Sequence, residues 1–141
     1  FDLIHGNIIC EIKSHTETVT SLQFHPSNSL LLSADLSGTI KGWNINNWDE
    51  HCFIIETDSL EWAQWLDQTT SLIVCGMSNG CLQIWDSDSL QFSQFYAPLP
   101  NSEYHIPYVS YGKVGCTRIV YGAADGSIRI GDIKLNKILH T

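Results

Sequence analysis

Basic residues are scarce in this chain: seven Lys and Arg stand against 15 Asp and Glu, for a net charge of −8 over 141 residues. A surface that grips phosphate backbones needs the opposite balance, so direct nucleic-acid binding is not expected and a basic protein partner is. Long apolar runs are missing as well. The longest are a few residues, far short of the ~18 that would cross a bilayer as a helix, and no membrane insertion is expected. The five cysteines (Cys10, Cys52, Cys75, Cys81, Cys116) contain no Cys-x-x-Cys pair, and no Asn-x-Ser/Thr sequon occurs. Both point to reduced thiols in strands and a cytoplasmic location, extending to the nucleus. Catalytic vocabulary is thin. The six histidines show no His-x-x-x-His or His-Glu-x-x-His spacing, and the serines lie in no Gly-x-Ser-x-Gly elbow or phosphate-cradling glycine loop. No enzyme activity, metal, cofactor or small-molecule substrate is therefore expected. Helical spacing is also lacking over any useful window.

What the sequence does contain is a repeated strand-and-turn unit, complete once between Ser14 and Ile45. Val19 to Phe24 alternates as a strand, His25-Pro26-Ser27-Asn28 is a turn cluster, and Leu30 to Ala34 is a short apolar run. Leu36-Ser37-Gly38 turns again, and Thr39 to Trp43 alternates polar with apolar. The second half of the unit recurs. Gly38, Gly80 and Gly126 each precede Trp43, Trp85 and Gly131 by five residues, with Ile40, Leu82 and Ile128 then Lys41, Gln83 and Arg129 between them. Phe1-Asp2-Leu3 is a fourth trace, and the intervals between termini are 42, 42 and 46 residues. Such a period, ending in Trp-Asp, marks the four-stranded blades of a β-propeller.

The stretch SHTETVTSLQFHPSNSLLLSADLSGTIKGWNI resembles a WD-repeat. The resemblance implies an all-β propeller of four-stranded antiparallel blades, and a side-chain network of His, Ser or Thr, Asp and Trp. His15, Ser33 and Trp43 match that network, with Ser37 at the Asp position. In the second copy Trp85 is matched, with Asn79 for the Asp and Cys75 for the Ser. In the third, Asp125 is matched, but Gly131 replaces the Trp and Tyr121 the Ser. The layout expected is the end of a preceding blade (1–14, with Ile8 to Ile12 as its outermost strand), then blades at 15–56, 57–96 and 97–141. Three blades and a leading remnant leave open edges, so the chain is expected to be a fragment of a longer propeller; a half-propeller closed by dimerising is the alternative.

Within this layout the first blade should finish with an outer strand near His51 to Glu56, after an exposed Trp48-Asp49-Glu50 loop. In the second, Leu60 to Trp65 should be a strand with Ala63 toward the core and Trp62 packed on a neighbouring blade. In the third, strands are expected near Ile106 to Tyr111, Arg118 to Gly122, Ser127 to Gly131 and Asn136 to Thr141, after an extended loop from Ala97 to Asn101. Asp86 and Asp88 lie in a turn, where aspartates hydrogen-bond the backbone.

Charge divides between the two ends of such a fold. The loops entering first strands and the turns between second and third strands carry Glu17, Asp35, Asp58, Glu61, Glu103 and Asp125 with no Lys or Arg. A negative field toward a basic partner is expected there. The runs DSLEWAQW, LIVCGMSNGCLQIWD and IVYGAADGSIRIGDIK are, more narrowly, similar to the angio-associated migratory cell protein family. That resemblance implies an acidic propeller whose fungal members chaperone a basic large-subunit ribosomal protein, with Asp58, Glu61 and Trp62 matching its acidic and aromatic element. The function expected is therefore non-enzymatic binding of a basic peptide, as a dedicated chaperone in ribosome assembly. The alternative is a general scaffold in signalling or cell migration with no single client.

Overall fold

Residues of strand-forming type separated by Gly, Asn, Asp and Ser turns pair locally, and in the computed structural model they do so three times. The structure describes residues 4–27, 29–58, 60–66, 71–78, 81–96, 111–114, 118–122, 127–132, 135 and 137–140. Among them there are twelve strands and no helix. β1 (Val19–Phe24), β2 (Leu30–Asp35), β3 (Thr39–Asn44) and β4 (Asn47–Glu56) form the first sheet. β5 (Leu60–Trp65), β6 (Leu72–Met77), β7 (Leu82–Asp86) and β8 (Gln91–Tyr96) form the second. β9 (Tyr111–Val114), β10 (Arg118–Gly122), β11 (Ile128–Asp132) and β12 (Lys137–His140) form the third. Each is an antiparallel meander in chain order. The all-β, four-stranded architecture read from the repeat is the one observed.

Period-two alternation gives each sheet two distinct faces, and those at the two seams between sheets are buried. We call the face turned toward the preceding sheet the rear and the other the forward face. Leu32, Ala34, Ile40, Phe53 and Ile55 on the forward face of the first sheet pack with Ala63, Trp65, Ile73, Cys75 and Met77 on the rear of the second. Val74, Leu82 and Ile84, forward on the second sheet, pack with Ile119 and Tyr121 on the third. The first seam is also stitched by polar contacts. Ser21 Oγ accepts the Ala63 N–H at 3.0 Å and Gln23 Oε1 accepts the Trp65 N–H at 2.8 Å. The β2–β3 turn needs glycine at Gly38, whose φ is +92° and whose missing Cβ would strike the Thr57 carbonyl.

Three local expectations are corrected. Ile8 to Ile12 lies outside the sheets and its isoleucines are exposed. No described strand runs beside it, so an extended segment there gains no cross-strand pairing. β4 begins at Asn47, so Trp48-Asp49-Glu50 belongs to the strand and Trp48 is half-buried. Two register shifts about Trp43 absorb the extra residues. β9 starts at Tyr111, the residue at which that strand was expected to end, because β10 pairs Tyr121 with Tyr111 and Arg118 with Val114. Residues 106–110, the 97–101 loop and 1–3 lie outside the described residues.

Candidate interaction site

The first sheet carries a linear chain of hydrogen bonds through its rear face. Trp43 Nε1 donates to Ser33 Oγ at 2.8 Å, and Ser33 Oγ lies 2.7 Å from His15 Nε2. His15 Nδ1 is 2.7 Å from Asp35 Oδ2. Because the Asp35 carboxylate can only accept, His15 Nδ1 donates to it; with the imidazole neutral, Nε2 is then the acceptor for the Ser33 hydroxyl, whose oxygen also accepts from the Trp43 indole. Asp35 Oδ1 accepts from the backbone N–H of Ser37 at 3.0 Å and of Thr39 at 3.2 Å, and from the Ser37 hydroxyl. Burial pulls the Asp35 carboxyl upward, but the hydrogen bonds from Ser37, His15 and Thr39 outweigh it and hold the group below its ordinary value.

Two expectations change here. Asp35, expected on the partner-facing surface, is 0% exposed and is the acid of the network. Ser37, expected at that position, instead donates to it. The reason is strand parity: Ser33 and Asp35 are two apart in β2 and share a face, whereas Ser37 has already entered the turn. Lys41 secures the arrangement from β3, its Nζ donating to the Ser14 carbonyl at 2.7 Å and hydroxyl at 2.8 Å, next to His15.

Asp-His-Ser in hydrogen-bonded sequence is also the order of a hydrolytic triad, but the surroundings here are structural. Ser33 is buried and its oxygen is already engaged by the Trp43 indole. Among the described residues no group of three or more His, Cys, Asp or Glu is arranged to hold a metal ion.

The network is not repeated in the second sheet. Cys75 and Met77 occupy the register positions of Ser33 and Asp35, both buried in the seam, and burial pushes the Cys75 thiol up. Trp85 donates to Gln83 Oε1 at 3.0 Å instead. In the third sheet Tyr121 stands at the Ser33 position, buried opposite Arg129, which is itself 1% exposed. Burial raises the Tyr121 hydroxyl, with Arg129 opposing. A feature common to all three sheets is the acid or amide at the last position of the third strand. Asn44, Asp86 and Asp132 accept N–H groups of Asn46, Asp88 and Leu135 at 2.9, 2.9 and 3.0 Å. Asp86 also takes the Ser71 hydroxyl, and it titrates below its ordinary value mainly through the Asp88 N–H and Ser71.

The acidic loops of the first sheet do come together. Leu36 N–H donates to the Thr18 carbonyl and Thr57 N–H to the Gly38 carbonyl, joining the entry loop, the β2–β3 turn and the β4–β5 loop at one end. There Ser37, Thr39, Glu56, Thr57 and Asp58 line an open hollow of about 260 Å³. Glu17, Glu56, Asp58 and Glu61 are exposed, and none of residues 15–18, 35–39 or 56–61 is Lys or Arg. Glu56 was missed by sequence reading, since its place at the last position of β4 put it with the outer strand. Trp62 is half-buried; its indole lies across Gly76, and it packs against the cluster that joins the second sheet to Ile119 and Tyr121 of the third. Glu103, Asp125 and Asn79 lie outside the described residues.

The WD domain, G-beta repeat family matches residues 6–44. Human angio-associated migratory cell protein is 28% identical over 140 residues, 98% of this chain, and the chain spans 30% of that relative's length. Among solved structures, the WD40 repeats of RRP9 superpose with a TM-score of 0.75 at 15% identity, over 91% of this chain and 39% of that one. The computationally designed Ika4 protein gives 0.71 at 24% identity, over 96% of this chain and 78% of that one. The last two likenesses speak to fold alone. The family match, with the His15–Asp35–Ser33–Trp43 network, places a WD repeat at residues 6–44; the three four-stranded sheets have the fold of WD40-repeat structures, and the chain is similar over nearly its whole length to angio-associated migratory cell protein.

Proposed function

We propose that this chain is a non-catalytic protein-interaction module whose acidic end receives a basic, extended peptide. The observation that carries the reading is the hollow beside the β2–β3 turn. Two carboxylates, Glu56 and Asp58, stand among three hydroxyls, and Glu17 and Glu61 are exposed on neighbouring loops with no cation in those segments. Hydroxyls and carboxylates together suit the ammonium of a lysine or the fork of an arginine. Each exposed pair contributes only about 0.2–1 kcal/mol, so affinity would come from several basic residues engaging at once. Trp62 adds at most its exposed edge, since most of its apolar surface is committed to the second seam.

The finer reading, a dedicated chaperone for a basic large-subunit ribosomal protein, rests on the resemblance of DSLEWAQW and its neighbours to the angio-associated migratory cell protein family. The coarser one is a WD-repeat scaffold serving several partners. Titration calorimetry with a basic N-terminal ribosomal-protein peptide, at about 20 and 150 mM salt, separates them. Salt-weakened binding that falls about tenfold or more in Asp58→Lys/Glu61→Lys supports the chaperone reading. Equal binding of any lysine-rich peptide supports the scaffold, and no binding at either salt refutes the acidic-end site.

A further inference from the structure

The hollow beside the β2–β3 turn is lined by the hydroxyls of Ser37, Thr39 and Thr57 and the carboxylates of Glu56 and Asp58. The hydrogen bonds fix where each hydroxyl proton goes. Ser37 Oγ donates to Asp35 Oδ1, since a carboxylate only accepts. That commits the one proton of the Ser37 hydroxyl, so in its 3.0 Å contact with Thr39 Oγ1 the donor is Thr39. Thr57 Oγ1 donates to the Gly38 carbonyl at 3.1 Å. All three protons are therefore spent on acceptors within the chain. The backbone N–H groups of the same residues are spent likewise, those of Ser37 and Thr39 on Asp35 and that of Thr57 on Gly38. What the hydroxyls have left to offer is oxygen lone pairs, and the ionised carboxylates beside them offer the same. Asp35, though wholly buried, sets this polarity, because it takes the Ser37 proton and so turns that of Thr39.

A lining of acceptors selects its occupant by donors. A phosphate, a carboxylate or the carbonyl of an acetylated lysine finds no hydroxyl proton here to accept. A lysine ammonium brings three N–H donors and no acceptor. Trimethylation keeps the charge of that lysine and removes every donor. Aromatic faces are what hold a trimethylammonium group, and none of the five lining residues is aromatic. We propose that the hollow recognises a lysine of the partner by its N–H donors and not by charge alone, so that trimethylation or acetylation of that lysine excludes it. This deepens the acidic-end reading and rests on it. The state of the partner's lysine, with no change in this chain, then sets whether the contact forms.

Titration calorimetry of the chain with an end-capped hexalysine peptide, and with the same peptide trimethylated at every Nζ, tests this at about 20 mM salt, where exposed charges are least screened. The two probes carry equal charge. The unmodified peptide should bind about fivefold more tightly or better, the sum of several weak donor contacts. Thr57→Val removes one acceptor and keeps the shape of the side chain. In that variant the ratio between the peptides should fall toward one, with affinity for the trimethylated peptide unchanged. If far-ultraviolet circular dichroism shows that Thr57→Val loses its strands, Thr39→Val provides the same comparison. Equal binding of both peptides to the parent chain would overturn the proposal and leave the acidic-end reading standing on charge alone. A ratio that neither threonine variant moves would overturn the assignment to these hydroxyls. No binding of the unmodified peptide would remove the acidic-end reading and the proposal together.

Discussion

Replacing Asp35 by Asn tests whether the rear-face network is a structural chain with a fixed proton direction. The amide keeps the size of the carboxylate and one oxygen to accept the Ser37 and Thr39 N–H groups, but it removes the charge and sets an NH₂ or a weaker carbonyl against His15 Nδ1. If the NH₂ faces His15, the ring must move its proton to Nε2. Ser33 Oγ then receives both that proton and the Trp43 N–H, and its own O–H loses its acceptor inside a buried site. Hydrogen bonds to a charged group are worth about 1.5–3 kcal/mol, and an orphaned buried donor costs about 1–3. Allowing for relaxation, a loss of about 2–3 kcal/mol is expected. At about 4 °C per kcal/mol for a chain of this size, the melting temperature should fall by about 8–12 °C. Urea unfolding followed by tryptophan fluorescence measures it, with Asp49→Asn on the exposed part of β4 as the control. A change within about 0.5 kcal/mol of that control would refute the network as a source of stability.

Acid should act through the same residue. Its carboxyl titrates below its ordinary value in the fold, so its contribution is full above the unfolded carboxylate range and is lost as pH falls through the lower folded value. Asp86 has the same sign, so the acid limb of a stability–pH curve should be shallower in Asp35→Asn than in the parent chain; identical limbs would contradict the assignment. At Gly76, a Cβ would meet the Trp62 indole nitrogen at 2.3 Å. Gly76→Ala should destabilise by about 1–3 kcal/mol through overpacking, measurable by the same unfolding curves, and Gly76→Ala combined with Trp62→Leu should recover part of that loss.

The fold was legible because the repeat fixes register as well as strand identity. Gly38, Gly80 and Gly126 stand at the same distance before the ends of β3, β7 and β11, and strands of period two placed in one register must present their apolar sides alike. The network was legible in three of its four members. Asp35 was misassigned because charge was weighed by loop position, whereas its parity with Ser33 in β2 turns it inward; that signal was present in the sequence. Glu56 was passed over because the hollow it lines is made by three loops that only tertiary hydrogen bonds bring together, through Thr18, Gly38 and Thr57. Ile8 to Ile12 has the composition of a strand without a described strand to pair with, and composition alone cannot supply one.

The contrast between the first and second sheets suggests why the network is concentrated where it is. At the positions of Ser33, Asp35 and Trp43 the second sheet has Cys75, Met77 and Trp85, and these lie against the forward face of the first sheet. Apolar burial across that seam holds β6 and β7 in place, and the Cys75 thiol, driven toward its neutral form, behaves as a small hydrophobe. The rear of the first sheet has no described sheet before it, as Leu22 and Phe24 record. There, β2, β3 and the segment entering β1 are tied by hydrogen bonds among their own side chains, from Trp43 through Ser33 and His15 to Asp35, with Lys41 holding Ser14. A polar chain satisfied within one sheet needs no neighbour to complete it, so the first sheet can keep its turn and entry loop fixed while its apolar rear face stays open to whatever covers it.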